Sequence, residues 1–106
     1  MKNLSSEKDI AVSFRNNELL ISGPLNHETV SAALALCEPL IPSEQSITLN
    51  FSGVVDCDSA SLALVTALMR ASLAKKTKVQ LSHMPKEMLD LATVSGLNGF
   101  LPLTDK

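Results

Sequence analysis

The stretch VVDCDSASL, residues 54–62, decides the fold of this chain because it joins a strand pattern to a long helix pattern. Before it, the short apolar run of residues 47–51 predicts a central, buried strand. After it, apolar residues recur at helical spacing over residues 61–75 and predict the longest helix of the chain. Two carboxylates and two hydroxyls therefore lie where a buried strand leads into a helix.

Asp58 and Ser59, at the start of this helix, allow two interpretations. The first N–H groups of a helix have no partner within it, and Asp and Ser often satisfy them, so both residues suit a structural cap. Alternatively, the Ser59 hydroxyl is exposed and is recognised by a partner protein or a kinase, whose phosphate would add about −1.5 to −2 charges. Spacing alone favours the structural cap over recognition or phosphorylation of Ser59.

The segments on either side of this stretch alternate between strand and helix patterns. Residues 10–14 and 19–22 predict a hairpin, whose turn at 15–18 contains two Asn residues that tolerate positive φ. The following segments are, in order, a helix at 28–38 capped by Asn26, the strand at 47–51, the helix at 61–75, a strand at 78–82, a helix from Pro85 to Gly96 and a short edge strand at 97–103.

This order predicts one α/β domain spanning residues 1–106. We expect a mixed β-sheet with an N-terminal hairpin, parallel βαβ crossovers and helices packed against the sheet. Residues 1–9 are polar and are expected to be frayed.

The composition excludes several classes of partner. A chain of 106 residues with a net charge of −2 offers no basic field for nucleic acid or anionic lipid, and it has only three Phe as aromatic residues for stacking on bases. The N-terminus lacks the apolar run of a signal peptide, and no apolar run is long enough to span a bilayer. Two Cys without metal-ligand spacing predict a reduced, cytosolic protein.

The same residues argue against catalysis. Asp56 and Asp58 could serve as an acid–base pair, but no His or Lys lies near them in sequence and no glycine-rich loop would hold a nucleotide. His27 and His83 have no second ligand at metal-binding spacing. Cys57 is a weak nucleophile because a neighbouring carboxylate raises the pKa of a thiol. We therefore expect a protein that is not an enzyme, with no metal and no cofactor.

A strand, a short loop ending in Asp58-Ser59-Ala60-Ser61-Leu62, a long apolar helix, a strand and a Pro-led helix ending in Gly96-Leu97 together resemble the STAS domain. The resemblance covers residues 47–103. That family includes anti-sigma factor antagonists, sulfate transporter tails and MlaB-type proteins, and it carries Asp-Ser/Thr-(Ser/Gly)-Gly-Leu at this loop. Ser61 departs from the usual Gly, and Ala60 departs from the second Ser of many antagonists. The run Leu62-Ala63-Leu64-Val65 is similar to the Gly-Leu-Ala-Leu-Leu of MlaB-type proteins.

The resemblance to MlaB-type proteins implies a non-catalytic cytosolic adaptor. Such a subunit binds the ATPase of an ABC transporter that moves phospholipid between bacterial membranes and maintains outer-membrane lipid asymmetry. Its contact with the permease is indirect, so it lies at the inner membrane only through its partner. The expected contact surface, which includes the possible phosphoacceptor, consists of Asp58, Ser59, Ala60, Ser61, Leu64 and Leu68. The alternative is an anti-sigma factor antagonist, which is switched by phosphorylation of Ser59.

Overall fold

The computed structural model describes the backbone of residues 3–7 and the full residues 9–97, 99 and 101–103. The elements along the chain are β1 (Asn3–Glu7), β2 (Ile10–Arg15), β3 (Glu18–Leu25), α1 (Val30–Cys37), a short 3-10 helix (Glu38–Leu40), β4 (Ser46–Cys57), α2 (Ala60–Ala74), β5 (Lys78–Ser82) and α3 (Lys86–Val94).

The strands form one sheet in the order β1-β2-β3-β4-β5. The first three strands are antiparallel neighbours, whereas β3, β4 and β5 run parallel. Parallel neighbours need a crossover, which α1 supplies between β3 and β4 and α2 supplies between β4 and β5. The predicted fold class, a mixed sheet with an N-terminal hairpin and parallel crossovers, is therefore confirmed. The hairpin turn also has the predicted geometry, with φ of 55° at Asn16 and 59° at Asn17.

The hydrophobic core lies between one face of the sheet and the helices. Alternate residues at the start of β2 and β3 are buried on that face, as the period of two in a half-covered sheet requires. The helices cover this face with aliphatic side chains, Leu64, Val65 and Leu68 from α2 and Met88 from α3. The buried side chains of the strands are Ile10, Val12, Leu19, Ile21, Leu25, Ile47, Leu49, Phe51 and Leu81.

Several boundaries differ from the sequence prediction, and the strand predicted at 19–22 is longer, Glu18–Leu25. Residues 3–7, expected to be frayed, form β1, because the free N–H and C=O groups at the edge of β2 can pair with any extended backbone. The central strand does not end at Phe51 but continues to Cys57. Its backbone pairing with β3 extends to the pair Leu25–Cys57 and does not depend on which side chains these residues carry. The predicted last strand is reduced to one parallel bridge between Leu81 and Leu103, and residues 98 and 100 of that segment lie outside the described residues.

Ser72 offers a test of how α2 packs. Its side chain is 1% exposed, and its hydroxyl has no hydrogen-bond partner among the described residues. Ser61 is also fully buried, but its hydroxyl donates to the carbonyl oxygen of Asp58 at 2.8 Å. We expect Ser72→Ala to raise the free energy of unfolding by about 1 kcal/mol, because a buried unsatisfied hydroxyl is removed and Ala favours helix.

Ser61→Ala is the matched control for this change. It is expected to lower the free energy of unfolding by roughly 0.5–1.5 kcal/mol, the contribution of one hydrogen bond. Urea unfolding of both variants measures the difference. Equal effects of the two substitutions would show that the packing around Ser72 is not as described.

Candidate functional site

The candidate site lies where the parallel strands end. β3 ends at Leu25, β4 at Cys57 and β5 at Ser82, and each strand is followed by a loop that leads into a helix. Because these strands are parallel, their carboxyl ends share one edge of the sheet, the edge at which open α/β sheets commonly bind ligands. The predicted residues Asp58, Ser59 and Ala60 all lie at this carboxyl edge.

Asp58 connects two of the loops at this edge. One of its carboxylate oxygens, Oδ1, accepts the backbone N–H of Ala60 at 2.8 Å, which is the local turn that Asp side chains favour. The other, Oδ2, lies 3.3 Å from Nδ1 of His27 and accepts the backbone N–H of His27 at 3.4 Å. The N–H of Asp58 donates to the carbonyl of Leu25. Asp58 therefore has the predicted structural role and also ties the loop before α1 to the start of α2.

Ser59 does not share this capping role. It is exposed, its φ and ψ of −62° and −19° are already helical, and its side chain makes no capping hydrogen bond with the described start of α2. Of the two interpretations, the structure gives the cap to Asp58 and leaves the Ser59 hydroxyl at the surface. A side chain in this position is accessible to another molecule.

Three of the predicted contact residues are not at the surface. Ser61, Leu64 and Leu68 are 0–1% exposed, and both Leu side chains belong to the core beneath α2. Their expected position at the surface is therefore wrong for this conformation, whereas a partner contact at these residues stays a prediction. The reason is the rotation of α2, whose face with Leu64, Val65 and Leu68 packs against the sheet.

The surface that α2 does present was missed by the sequence analysis. Ser59, Ala63, Thr66, Arg70 and Leu73 are all exposed and follow one another at steps of four and three residues. We call these five residues the outer stripe of α2. The signal that could have identified it is that Ala63 and Thr66 share one helical face with Arg70, the only charged residue of α2. Ala60, which is half-buried, lies at its border.

Cys57 lies beside Ser59 at the carboxyl edge but is a poor nucleophile. Partial burial is the largest cause that raises its thiol pKa, and the carboxylates of Glu87, Asp56 and Asp58 raise it further, against a lowering hydrogen bond from Ser61. The direction agrees with the sequence expectation, with Glu87 of α3 as an additional contributor. Cys37 is fully buried in the core, and burial raises its pKa to about 12.

His27 and His83 both lie in loops at the carboxyl edge, and both are exposed. His27 contacts Asp58, and His83 has a positive φ of 56° with its Nδ1 3.2 Å from the Ser82 hydroxyl. Within the part of the chain that the structure describes, no three His, Cys, Asp or Glu side chains form a group that could hold a metal ion. In the same part of the chain, none of the helices is both long and apolar enough to cross a membrane.

Protonation of Asp58 should weaken the start of α2. The hydrogen bond from Ala60, followed by those from His27, lowers the pKa of Asp58 below its usual value of 3.8. A carboxyl group with a lowered folded-state pKa stabilises the fold fully above its unfolded pKa and loses that contribution as pH falls through the folded value. We expect Asp58→Ala to cost roughly 0.5–1 kcal/mol at pH 7, the lower part of the range for a lost helix cap, because Asp58 is half-exposed.

The cost of Asp58→Ala should shrink as the pH falls below about 4, because the carboxyl group of the unfolded wild-type chain binds a proton first and that of the folded protein only at a lower pH. Urea unfolding of wild type and variant at pH 7 and at pH 3 measures this difference. An unchanged difference at the two pH values would mean that the charge of Asp58 contributes nothing to the fold.

Comparison with known proteins shows which of them share this architecture. No curated protein matches the sequence. Among solved structures, the chain is similar to a protein from Thermotoga maritima that is assigned as an anti-sigma factor antagonist, with a TM-score of 0.69 and 14% identity over 90% of this chain and 85% of that one. An anti-sigma factor antagonist from Mycobacterium paratuberculosis has a TM-score of 0.66 and 16% identity over 100% and 86%. The Bacillus cell fate determinant SpoIIAA, in its phosphorylated form, has a TM-score of 0.56 and 20% identity over 100% and 93%.

These likenesses at low identity establish a shared fold. The sequence itself matches a family model described as "Mlab, STAS domain" over residues 10–104, which is nearly the whole chain and includes the carboxyl edge and α2. This chain therefore belongs to the STAS domain family.

Proposed function

We propose that this protein is a non-catalytic adaptor of the MlaB type, which binds the ATPase subunit of an ABC transporter that moves phospholipid between bacterial membranes. The observation that carries the proposal is the match to a family model described as "Mlab, STAS domain", on a chain whose Ser59 begins an uncovered helix face. In this role the protein is cytoplasmic, it reaches the inner membrane through the ATPase, and its contact with the permease is indirect. It uses no cofactor and contacts neither nucleic acid nor lipid directly.

The outer stripe of α2 suits such a contact. Ser59 and Ala63 are small, so a partner backbone can approach the helix closely at its start. Farther along, Leu73 is 77% exposed, and burying a Leu side chain contributes roughly 1.5–3 kcal/mol before the costs of association. Val55, at the end of β4, is 75% exposed and adds apolar area near the carboxyl edge.

The second candidate is an anti-sigma factor antagonist that is switched by phosphorylation of Ser59. It is favoured by a specific observation, the exposed Ser59 hydroxyl without a capping hydrogen bond at the described start of α2. A phosphate on Ser59 would lie close in sequence to Asp58 and Asp56. The added negative charge would strongly change the electrostatic potential of the surface that a partner contacts.

Two experiments on the full chain separate these candidates. The first is co-purification with the ATPase subunit of a phospholipid-transport ABC system from the same organism, for which the adaptor proposal predicts a stable complex. The second is incubation with ATP and an anti-sigma factor of the kinase type, followed by intact mass measurement. Added phosphate on Ser59, together with no binding to the ATPase, would replace the adaptor proposal by the antagonist.

A further inference from the structure

The contact between His27 and Asp58 joins two loops of the carboxyl edge. Oδ2 of Asp58 lies 3.3 Å from Nδ1 of His27 and accepts the backbone N–H of His27 at 3.4 Å. The N–H of Asp58 donates to the carbonyl of Leu25 at 3.1 Å, so the loop before α1 is held at both the side chain and the backbone of Asp58. The imidazole is exposed and the carboxylate is half-exposed, so this contact exchanges protons with the solvent.

The same carboxylate also holds the first turn of α2. Its other oxygen, Oδ1, accepts the N–H of Ala60 at 2.8 Å. One carboxylate group therefore binds the loop through one oxygen and the helix through the other. Ser59 lies between Asp58 and Ala60, the two residues of this turn. A change in how firmly Oδ2 is held consequently changes how firmly the backbone around Ser59 is held.

The strength of the contact depends on the protons of His27. A carboxylate only accepts hydrogen bonds, so Nδ1 of His27 must carry a proton to donate to it. Neutral imidazole has a single proton, and only one of its two tautomers places that proton on Nδ1. Imidazolium carries a proton on both nitrogens, so it always donates, and its bond to a carboxylate is charge-assisted. Histidine side chains change between these forms between about pH 5 and 8.

Asp58 keeps its charge over this range of pH. The hydrogen bond from Ala60 is the largest cause that lowers the pKa of Asp58 below 3.8, and the bonds from His27 lower it further. His27 is therefore the member of the pair whose charge changes. It is also the charged side chain that the structure describes in contact with Asp58.

The elements around the pair carry further charged groups. Asp9 lies in the turn between β1 and β2 and lines one hollow with Glu28, the residue after His27. The remaining ionisable groups of β4, the loop after β5 and α3 are Asp56, Cys57, His83, Lys86, Glu87 and Asp90. Lys86 is paired with Asp90 at 3.0 Å, and Nδ1 of His83 contacts the Ser82 hydroxyl instead of a carboxylate. The described partners of the two histidines therefore differ, and His83 serves as a control for His27.

From these observations we propose that His27 is a pH-sensitive latch, whose protonation tightens its hold on Asp58 and orders the backbone around Ser59. A partner pays a smaller ordering cost when it binds a surface that is already ordered. The ATPase should therefore bind more tightly as the pH falls from 8 to 6. This effect on binding rests on the proposed function for the identity of the partner, whereas the latch is a property of the free protein.

A double-mutant cycle in the free, full chain tests the latch. It combines His27→Gln, which removes the imidazole, with Asp58→Asn, which leaves an amide oxygen for the N–H of Ala60, and it measures urea unfolding at pH 6 and pH 8. We expect the coupling of the two residues in the unfolding equilibrium constant to be roughly two- to fivefold larger at pH 6, the range of an exposed ion pair. His83→Gln should show no coupling with Asp58→Asn. Equal coupling of His27 and Asp58 at the two pH values would overturn the proposal.

The affinity of the ATPase for wild type, His27→Gln and His83→Gln at both pH values tests the regulation. The ratio of wild-type to variant affinity cancels the pH dependence of the ATPase itself. For His27→Gln we expect this ratio to be roughly two- to fivefold higher at pH 6 than at pH 8, and for His83→Gln to stay the same. A ratio for His27→Gln that does not rise at pH 6 would overturn the regulation and leave the proposed function standing. If wild type binds the ATPase at neither pH, the proposed function fails and the double-mutant cycle alone decides on the latch.

Discussion

Replacing Leu64 by alanine is expected to lower the free energy of unfolding by roughly 2–5 kcal/mol, because the buried side chain beyond Cβ is lost and a cavity remains. Leu64 is 1% exposed and packs in the core beneath α2. Domains of this size have only about 5–15 kcal/mol of stability in total, so this single change removes a large share of it. Urea unfolding followed by far-ultraviolet circular dichroism measures the loss.

Leu73→Ala is the matched control on the same helix. Leu73 is 77% exposed, so the same chemical change should alter the free energy of unfolding by no more than about 0.5 kcal/mol. A mild effect of Leu64→Ala, similar to that of Leu73→Ala, would mean that α2 is rotated relative to its described orientation. Because Leu64 is buried, a charged residue at position 64 would test folding and not partner contact.

Gly23→Ala is the second change from which we expect a large loss of stability. Gly23 has a φ of +104°, which costs other residues roughly 1–3 kcal/mol. A Cβ at this position would also collide with the backbone carbonyl of Asp9, in the turn between β1 and β2. Overpacking against atoms that cannot easily move adds about 1–3 kcal/mol. The sum should be visible as a clear drop in the midpoint of thermal unfolding.

Gly96→Ala separates the two causes. Gly96 follows α3 with a φ of +75°, but a Cβ there would meet no atom within 4 Å. It should therefore show the backbone cost without the collision, and lose less stability than Gly23→Ala. Equal losses in the two variants would show that the turn at Asp9 does not pack against β3 as described.

Much of the fold could be predicted because the periodicities of the sequence are regular. Alternating side chains in residues 10–14 and the Asn-Asn turn define the hairpin without any tertiary information. The extension of β4 to Cys57 could not be predicted, since it depends on a backbone ladder with the far end of β3 and not on the polar side chains of residues 56–58. The pairing of residues 3–7 has the same origin.

The site was predictable in position but not in orientation. The sequence places Asp58 and Ser59 at the start of α2, and the structure agrees. Which of the two side chains accepts a hydrogen bond from the first N–H groups of α2 depends on whether Ser59 itself has helical φ and ψ. Residue types do not determine that. Similarly, α2 has apolar residues on two sides, and only its contact with the sheet shows that Leu64 is inside and Leu73 outside.

The proposed adaptor role depends on the surface around Ser59, and the affinity of the ATPase for Ser59→Arg measures whether this surface binds the partner. Ser95→Arg is the control, an exposed Ser at the far end of α3 where a cation faces the negative end of the helix dipole. We expect Ser59→Arg to remain folded and to lose roughly tenfold or more in affinity, while Ser95→Arg binds like wild type. If Ser59→Arg bound the ATPase with wild-type affinity, the surface around Ser59 would not be the contact.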